Sequence, residues 1–377
     1  MTSTIIAPSR VHGHPAATWV AFSDGMIAEI GGGRLPAAAV EVSGTVLVPG
    51  FLDLQVNGID DVNFGRTDAG GWRRAGRALI THGVTGYCPT LVSSPLEDYA
   101  APLALAAEAQ ASEAHEGPDR ASILGVHLEG PFLGGMPGAH QKDRLLEADV
   151  AWLSDTLASH PGLVRIVTLG PEADPGFAAI GLLAGAHVVA SIGHSAASYD
   201  LARAAADAGA RSVTHLFNAM KPLHHRDPGL VGAALDDDRL TPGVIADLIH
   251  VHPAALRVVF ARKPNVALVS DSVGIKAPEL AEMKIAYVDG APRLADGTLA
   301  GSTLTLDVAV RNVVSLGVPL ERAVDMATRV PADLIGAHDR GRLDPGARAD
   351  LVLLDSRELT VRAVWLGGHL VFGSPHS

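Results

Sequence analysis

Side chains that can bind a metal ion or transfer a proton occur where several apolar, strand-like runs end. Each follows its own run: Glu129 after 123–128, His194 after 188–193, His215 after 213–214, His250 after 244–249 and Asp271 after 266–270. The carboxyl ends of parallel barrel strands open onto one face, so these residues converge if the strands form a closed barrel. The joint pattern therefore predicts a metal-dependent hydrolase.

The three residue types at 129, 194 and 215 suit zinc or another divalent ion, and three protein ligands leave a position open for water. Binding to such an ion lowers the pKa of water from about 15.7 toward about 7, and the resulting hydroxide would attack an amide or ester carbonyl. Asp271 would take the proton of the water and pass it to the leaving group. His250 would hydrogen-bond the carbonyl and stabilise its developing charge. A single histidine after a strand is more often a polar residue with ordinary partners than a ligand, so the prediction depends on all five residues together.

Length and charge limit the class of protein. The chain has 377 residues, and 29 Lys and Arg against 41 Asp and Glu give a net charge of −12. The length suits a barrel of about 250 residues with an added smaller domain. The acidic balance argues against nucleic acid and anionic membranes as partners, but it permits a phosphorylated small molecule. Cys88 is the only cysteine, so no intrachain disulfide is possible. No secretory signal and no membrane span are visible in the sequence, so we expect a cytoplasmic protein.

The middle of the chain alternates between strand-like and alanine-rich helical runs. Eight strand candidates lie near 46–54, 84–90, 122–128, 163–169, 187–193, 211–216, 243–249 and 266–270. The helical runs include Ala69–Thr81, Leu96–Glu113 and Tyr199–Ala208, with Ser198 as a candidate N-cap. Eight alternations predict an α/β fold with a (β/α)8 TIM-like barrel. An open doubly wound sheet is the alternative, but it would not gather residues from strands three, five, six, seven and eight.

The two ends of the chain differ from the middle. Residues 1–48 and 346–377 both contain short strands separated by turns, and we expect them to pair into one small β-sandwich domain, with the barrel formed by 49–345. Turns at Asp289-Gly290 and Asp296-Gly297 predict a hairpin insertion between 272 and 300.

Longer motifs add a resemblance to a known family. Pro49–Asp53 and Gly341–Val352 resemble the amidohydrolase superfamily. More narrowly, the chain resembles the N-acetylglucosamine-6-phosphate deacetylase family along nearly its whole length. The matching motifs are His82-Gly83-Val84-Thr85 with Pro89-Thr90, His127-Leu128-Glu129-Gly130-Pro131-Phe132, Gly193-His194-Ser195, Thr214-His215-Leu216-Phe217-Asn218-Ala219-Met220 and Val269-Ser270-Asp271-Ser272.

The resemblance implies a role for each matching position. It implies metal ligation by Glu129, His194 and His215, acid/base catalysis by Asp271, and contact of His250 with the N-acetyl carbonyl. It implies a homodimer, in which Arg226 reaches the phosphate of the substrate in the neighbouring subunit. The further implied substrate contacts are Ala139, His140, Asn218, Ala219, Asp247, Leu248, Ile249, Leu299, Ala300 and Gly301.

One motif departs from most amidohydrolases, which carry His-x-His at the end of the first barrel strand to hold a second metal. Here the positions read Gln55-Val56-Asn57, and amides are poor zinc ligands. We therefore predict one tightly bound divalent ion, zinc first, with iron, cobalt and manganese left open. A weak second metal site near Gln55 and Asn57 also stays open.

The activity implied by the resemblance is hydrolysis of the N-acetyl amide of N-acetylglucosamine-6-phosphate to glucosamine-6-phosphate and acetate. A related N-acetylamino sugar phosphate, such as the galactosamine epimer, stays open as substrate. A cyclic-amide hydrolase that uses a carboxylated lysine is disfavoured, because no lysine lies at the end of the fourth strand. A sensor of sugar phosphates without catalysis is the remaining alternative, and the presence of Asp271 counts against it.

Overall fold

The computed structural model describes residues 4–276, 279–280 and 283–375. Its strands, numbered along the chain, are β1 (Thr4–Val11), β2 (Trp19–Ser23), β3 (Met26–Gly31), β4 (Val40–Pro49), β5 (Phe51–Val56), β6 (Gly58–Ile59), β7 (Val62–Asn63), β8 (Val84–Val92), β9 (Ser122–Ile123), β10 (Val126–Glu129), β11 (Val164–Leu169), β12 (Val189–Ile192), β13 (Ser212–Val213), β14 (Thr241–Val244), β15 (Ala267–Leu268), β16 (Glu279–Leu280), β17 (Met283–Lys284), β18 (Ala286–Val288), β19 (Ala291–Arg293), β20 (Leu351–Asp355), β21 (Val361–Leu366) and β22 (His369–Gly373). The α-helices are α1 (Ala69–Thr81), α2 (Ala100–Glu116), α3 (Val150–Ser159), α4 (Ala178–Gly185), α5 (Tyr199–Ala208), α6 (Gly229–Asp236), α7 (Pro253–Arg262), α8 (Leu306–Ser315), α9 (Leu320–Ala327) and α10 (Arg329–Leu334).

A nearly closed parallel barrel occupies the middle of the chain. Its eight strands follow the order β5-β8-β10-β11-β12-β13-β14-β15. Backbone bonds from Asp271 N to Gln55 O and from Asn57 N to Ser272 O, each 2.8 Å, join the last strand region to the first. The predicted α/β class and TIM-like barrel are confirmed, and all these strands point their carboxyl ends to one face.

The two ends of the chain form one seven-stranded sheet, in the order β22-β21-β20-β4-β1-β2-β3, which confirms the predicted small β-domain. Side chains alternate between the two faces of a strand. In β4, Leu47 therefore packs into the core of the terminal sheet, whereas Val46 and Val48 pack into the barrel core. In β20, Leu353 likewise packs into the core of the terminal sheet and Leu354 into the barrel core. Because β4 and β20 contribute side chains to both cores, they pack the terminal sheet against the barrel. The predicted domain boundaries at 48 and 346 stay a prediction.

Most predicted strands differ from the observed ones by a few residues at their ends, and three differ in a way that matters for the fold. The run near 46–54 is divided at Gly50, because β4 belongs to the terminal sheet and β5 to the barrel. A Cβ on Gly50 would lie 2.0 Å from Thr85 Oγ1, so only glycine fits where the chain crosses between them. The 122–128 run is interrupted between β9 and β10. The 244–249 run is not a strand, because β14 ends at Val244.

Several local predictions agree with the structure. Helices α1 and α5 span the predicted residues, and Ser198 Oγ accepts the N–H of Leu201 as an N-cap. The run predicted to begin at Leu96 enters α2 only at Ala100. Beyond the barrel, β18 and β19 pair as a hairpin around Asp289-Gly290, as predicted. None of the helices in the described ranges has the length and apolar character needed to cross a bilayer.

Candidate active site

Three potential metal ligands meet at the carboxyl-terminal face of the barrel. Glu129 is the last residue of β10, while His194 and His215 follow β12 and β13. Glu129 Oε1 lies 3.1 Å from His194 Nε2 and 3.0 Å from His215 Nε2, and the two Nε2 atoms are 3.0 Å apart. Four-coordinate zinc with ligand bonds of about 2.0–2.1 Å separates its ligand atoms by about 3.3 Å. The three atoms are thus spaced as they would be around one ion.

The tautomer of His194 supports the same interpretation. Its Nδ1 lies 3.0 Å from the carbonyl oxygen of Pro137, which can only accept a hydrogen bond. The proton is therefore on Nδ1, and the lone pair of Nε2 points toward Glu129 Oε1 and His215 Nε2. Three electron-rich atoms facing each other in a buried site repel unless a cation lies among them. The residues present therefore fit a divalent metal ion.

The charge on Glu129 depends on these neighbours. Burial raises the pKa of a carboxyl group, but the contacts with His194 and His215 outweigh it and hold the pKa of Glu129 well below its ordinary value. Burial lowers the pKa of His194, so that the neutral imidazole is favoured. Burial acts in the same direction on His215, but the contact with Glu129 outweighs it and raises the pKa of His215. Metal binding requires an ionised carboxylate and neutral imidazoles, so an ion would displace the proton of His215.

The amides at the end of β5 have a role that the sequence did not suggest. Gln55 Nε2 donates to Glu129 Oε1 at 2.9 Å and to Asp271 Oδ1 at 3.3 Å. Asn57 Nδ2 donates to the same Asp271 oxygen at 2.7 Å. Where a His-x-His pair would bind a second ion, these amides position the carboxylates. Their place at the end of a barrel strand, where side chains face the site, is the signal in the sequence for this role.

Asp271 lies in the same buried group. Burial, followed by the charge of Glu129, raises its pKa to about 6, although His215, His250 and Asn57 act in the opposite direction. Its Oδ1 accepts the two amide hydrogen bonds, while Oδ2 accepts none from the described residues. The free oxygen and the raised pKa suit a group that takes up and returns a proton near neutral pH.

His250 reaches the site from a loop, and the expectation that it follows a strand directly is wrong. The loop after β14 turns on Asp247, whose Oδ1 accepts the N–H groups of Ile249 and His250. Asp247 Oδ2 lies 2.7 Å from His250 Nδ1, an arrangement that orients the ring and leaves Nε2 available. An Asx-type turn, and not the end of a strand, therefore positions His250 at the site.

A pocket of about 270 Å³ surrounds these groups. The predicted residues that line it are Glu129, Ala139, His140, His194, His215, Asn218, Ala219, His250, Asp271, Leu299, Ala300 and Gly301. The lining also includes residues that were not predicted as substrate contacts, namely Asn57, Val92, Gly138, Phe217 and Thr298. Burial lowers the pKa of His140 to about 3, so this ring is neutral, and its Nδ1 lies 2.8 Å from Ser93 Oγ. The apolar members carried no signal because any barrel loop contains such residues.

Four predicted substrate contacts lie outside the lining of this pocket. Asp247 acts on it through His250, while Leu248 and the exposed Ile249 lie in the same loop. Arg226 is exposed, and its Nη1 bonds only the neighbouring His225 Nε2 at 2.8 Å. The structure describes a single chain, so a role for Arg226 in a neighbouring subunit stays a prediction.

Backbone strain is concentrated at this face. His194, His215 and Asp271 all have positive φ angles, of 49°, 29° and 49°. A non-glycine residue in this region costs about 1–3 kcal/mol and persists only where the surrounding structure imposes it, typically at functional sites. In each case the chain turns sharply as it leaves its strand, which directs the side chain over the barrel.

Similarity to known proteins agrees with this geometry. A model of the amidohydrolase family matches residues 46–371. An N-acetylglucosamine-6-phosphate deacetylase from Bos taurus is 41% identical over 354 residues, covering 88% of this chain and 85% of the relative. An N-acetylgalactosamine-6-phosphate deacetylase from Escherichia coli O157:H7 is 36% identical over 357 residues, covering 92% and 93%. The structure of the Mycobacterium smegmatis N-acetyl-D-glucosamine-6-phosphate deacetylase, in complex with N-acetyl-D-glucosamine-6-phosphate, has a TM-score of 0.91 and 34% identity, covering 98% of this chain and 100% of that one. The resemblance found in the sequence is confirmed.

Proposed function

The chain belongs to the amidohydrolase family, and on that basis we propose that it hydrolyses the N-acetyl amide of N-acetylglucosamine-6-phosphate to glucosamine-6-phosphate and acetate. The observation that carries this proposal is the convergence of Glu129, His194 and His215 beside Asp271 in one pocket. N-acetylglucosamine-6-phosphate deacetylases that are 41% and 39% identical to this chain align with 88% of it.

One divalent ion, zinc before iron, cobalt or manganese, would be held by Glu129, His194 and His215. A bound ion of this kind supplies Lewis-acid chemistry, which acidifies water and polarises a carbonyl group. The amides of Gln55 and Asn57 hydrogen-bond the surrounding carboxylates and offer no imidazole for a second ion. These contacts support a single tight site.

Asp271 performs the proton transfers in this proposal. In its ionised form, Oδ2 takes the proton of the attacking water, and the carboxylic acid then gives that proton to the leaving nitrogen. The raised pKa, about 6, balances the two tasks, because a much stronger acid would be a poor base. The hydrogen bonds from Asn57 and Gln55 to Oδ1 keep the carboxylate in one orientation throughout.

His250 stabilises the charge that develops on the carbonyl oxygen. Asp247 Oδ2 fixes the ring through Nδ1, and Nε2 would contact the carbonyl oxygen. The neutral His140, held by Ser93, and the polar edges of the loop at Asn218 and Ala219 would contact the sugar phosphate.

We propose that a neighbouring copy of the chain completes the phosphate-binding site. Arg226 is exposed on a loop with two histidines and has no carboxylate partner among the described residues. A planar guanidinium suits bidentate binding of phosphate. We therefore propose a homodimer in which Arg226 acts in trans.

Mixing two defective variants tests this arrangement. Arg226→Gln lacks the phosphate contact and Asp271→Asn lacks the base, so each alone should be impaired at low substrate concentration. In mixed dimers, one site combines the intact Asp271 of one chain with the intact Arg226 of the other, so about a quarter of all sites should be competent after random exchange. No recovery after subunit exchange would contradict action in trans.

Acetate release tests the substrate. The zinc-supplemented protein should release acetate from N-acetylglucosamine-6-phosphate and little from unphosphorylated N-acetylglucosamine. The galactosamine epimer belongs in the same assay, because a relative at 36% identity is named for it. Faster acetate release from the epimer would reassign the sugar, and no acetate from any of the three would contradict the proposal. A cytoplasmic location stays a prediction.

A further inference from the structure

A wide cleft lies between the terminal sheet and helix α2, and its lining shares no residue with that of the active-site pocket. It encloses about 770 Å³. Small-molecule sites usually have volumes of about 300–1,000 Å³ and often lie between domains. Part of the lining is apolar and comes from the buried side chains of Phe22 and Leu366. The charged and polar lining includes Asp24, Gln110, Glu113, Arg120, Arg340, Arg348 and His369.

Two of the arginines are fixed by one buried carboxylate. Arg340 Nη1 donates to Asp350 Oδ2 at 2.6 Å, and Arg348 Nε donates to both oxygens at 2.9 and 3.1 Å. Asp350 is 3% exposed and also accepts the N–H of Gly367 at 2.7 Å. Because a single carboxylate orients both guanidinium groups, little side-chain entropy remains to be lost when they bind a ligand.

The outer N–H groups of this pair have no partner. Within the described residues, Nη1 and Nη2 of Arg348 and Nη2 of Arg340 donate no hydrogen bond, and none of these atoms is closed off from solvent. The two guanidinium groups share the negative charge of Asp350, and the exposed Asp339 lies 4.0 Å from Arg340 Nε. Fixed guanidinium groups whose outer N–H donors remain available are the arrangement that binds oxyanions.

Glu113 offsets less of the positive charge of Arg340 and Arg348 than a fully ionised carboxylate would. Burial raises the pKa of Glu113 to about 7, against the N–H of Ile123 and the charges of Arg120, Arg340 and Arg348. Near neutral pH a large fraction of this carboxyl group is therefore uncharged. Asp24 remains as the exposed negative charge in the lining.

We propose that this cleft binds a small metabolite through an oxyanion group, phosphate or carboxylate, held by the outer N–H groups of Arg340 and Arg348. The apolar floor at Phe22 and Leu366 would contact the rest of the molecule. The proposal does not depend on the deacetylase function, because none of the lining residues belongs to the active-site pocket.

Titration calorimetry of the full-length protein at low ionic strength tests the proposal, with inorganic phosphate and succinate as separate probes. Arg348→Gln should weaken binding of the recognised anion by about tenfold or more, since two charged donors are lost. Arg348→Lys keeps the positive charge but lacks the planar guanidinium group, so its affinity for the anion should lie between those of Arg348→Gln and the wild type. Asp350 keeps Arg340 and Gly367 as partners, so Arg348→Gln should still fold, as thermal unfolding would verify.

Asp24→Asn supplies a matched variant with the opposite expected effect. The residue is exposed and has a φ of 52°, a conformation that asparagine accepts readily. Removing its negative charge should tighten anion binding. Response to phosphate alone identifies a phosphate ligand, and response to succinate alone identifies a carboxylate. Absence of binding, or binding that neither Arg348→Gln nor Asp24→Asn changes, overturns the proposal.

Discussion

At the scale of single residues, the site depends on which atoms carry protons. Pro137 O fixes the tautomer of His194, and Asp247 fixes the ring of His250, so both imidazoles present a defined nitrogen to the pocket. Asp271 combines one oxygen that accepts two hydrogen bonds with one that accepts none from the described part of the chain. These contacts assign different tasks to residues that look alike in the sequence.

Replacement of the base tests its task directly. Asp271→Asn keeps the shape of the side chain but cannot accept a proton, so we expect kcat to fall by about 10²–10⁴-fold. Bound metal, measured by elemental analysis, should be unchanged because the three ligands are intact. Asp155→Asn, on the exposed side of α3, is a control that should keep full activity. Activity within tenfold of wild type in Asp271→Asn would assign the base to another residue.

A second change should move the pH dependence. Asn57→Leu removes a hydrogen bond that favours the ionised form of Asp271, so the pKa of Asp271 should rise above its value of about 6. The base must be unprotonated, so activity falls as the pH decreases through this pKa, and the acid limb of the kcat profile should move to higher pH. Thr298→Val, which also changes the pocket lining, should leave the limb in place. If the acid limb of the kcat profile stays in place in Asn57→Leu, a group other than Asp271 sets the pH dependence.

At the scale of elements, the carboxylate of Asp307 joins helices α1 and α8. His82, which ends α1, lies 3.2 Å from Asp307 in the first turn of α8, and Arg311 lies 2.9 Å from the same carboxylate. Burial opposes ionisation of Asp307, but the contacts with His82, Thr305 and Arg311 lower its pKa to about 2. The folded protein therefore binds this proton more weakly than the unfolded chain does.

The pH dependence of stability follows from that shift. A carboxyl group with a lowered pKa stabilises the fold above its unfolded pKa of about 4, and the contribution disappears as the pH falls through about 2. Asp307→Asn should lower the free energy of unfolding by about 2 kcal/mol at pH 7, measured by denaturant titration, with a shrinking difference below pH 4. An equal difference at pH 7 and pH 2 would mean that packing and not charge accounts for the loss.

The crossing between β4 and β5 gives a second prediction for elements. Gly50→Ala would place a methyl group against Thr85 Oγ1, and such overpacking costs about 1–3 kcal/mol. Thr85→Ala removes the two nearest opposing atoms, Oγ1 and Cγ2, and leaves Cβ at 2.7 Å, so the double variant should be more stable than the sum of the two single effects implies. Additive effects in this cycle would show that the two residues do not meet.

At the scale of the whole molecule, the architecture was predictable because its signals repeat. Eight alternations predict a barrel even when the bounds of individual strands are wrong, as they were at Gly50 and after Val244. The grouping of Glu129, His194 and His215 was predictable because each lies at or directly after the end of a barrel strand, and these ends face the same side. The amide contacts of Gln55 and Asn57, and the turn at Asp247 that presents His250, depend on side-chain geometry between distant segments. No local pattern encodes those distances.

The central claim is that one metal ion, held by Glu129, His194 and His215, enables amide hydrolysis. The most direct test removes all metal with a chelator and measures acetate release from N-acetylglucosamine-6-phosphate as zinc is returned in known amounts. We expect no release from the metal-free protein, and a rate that rises linearly to one equivalent of zinc per chain and then stays constant. Undiminished activity without metal, or a rise that continues to two equivalents, would contradict the account.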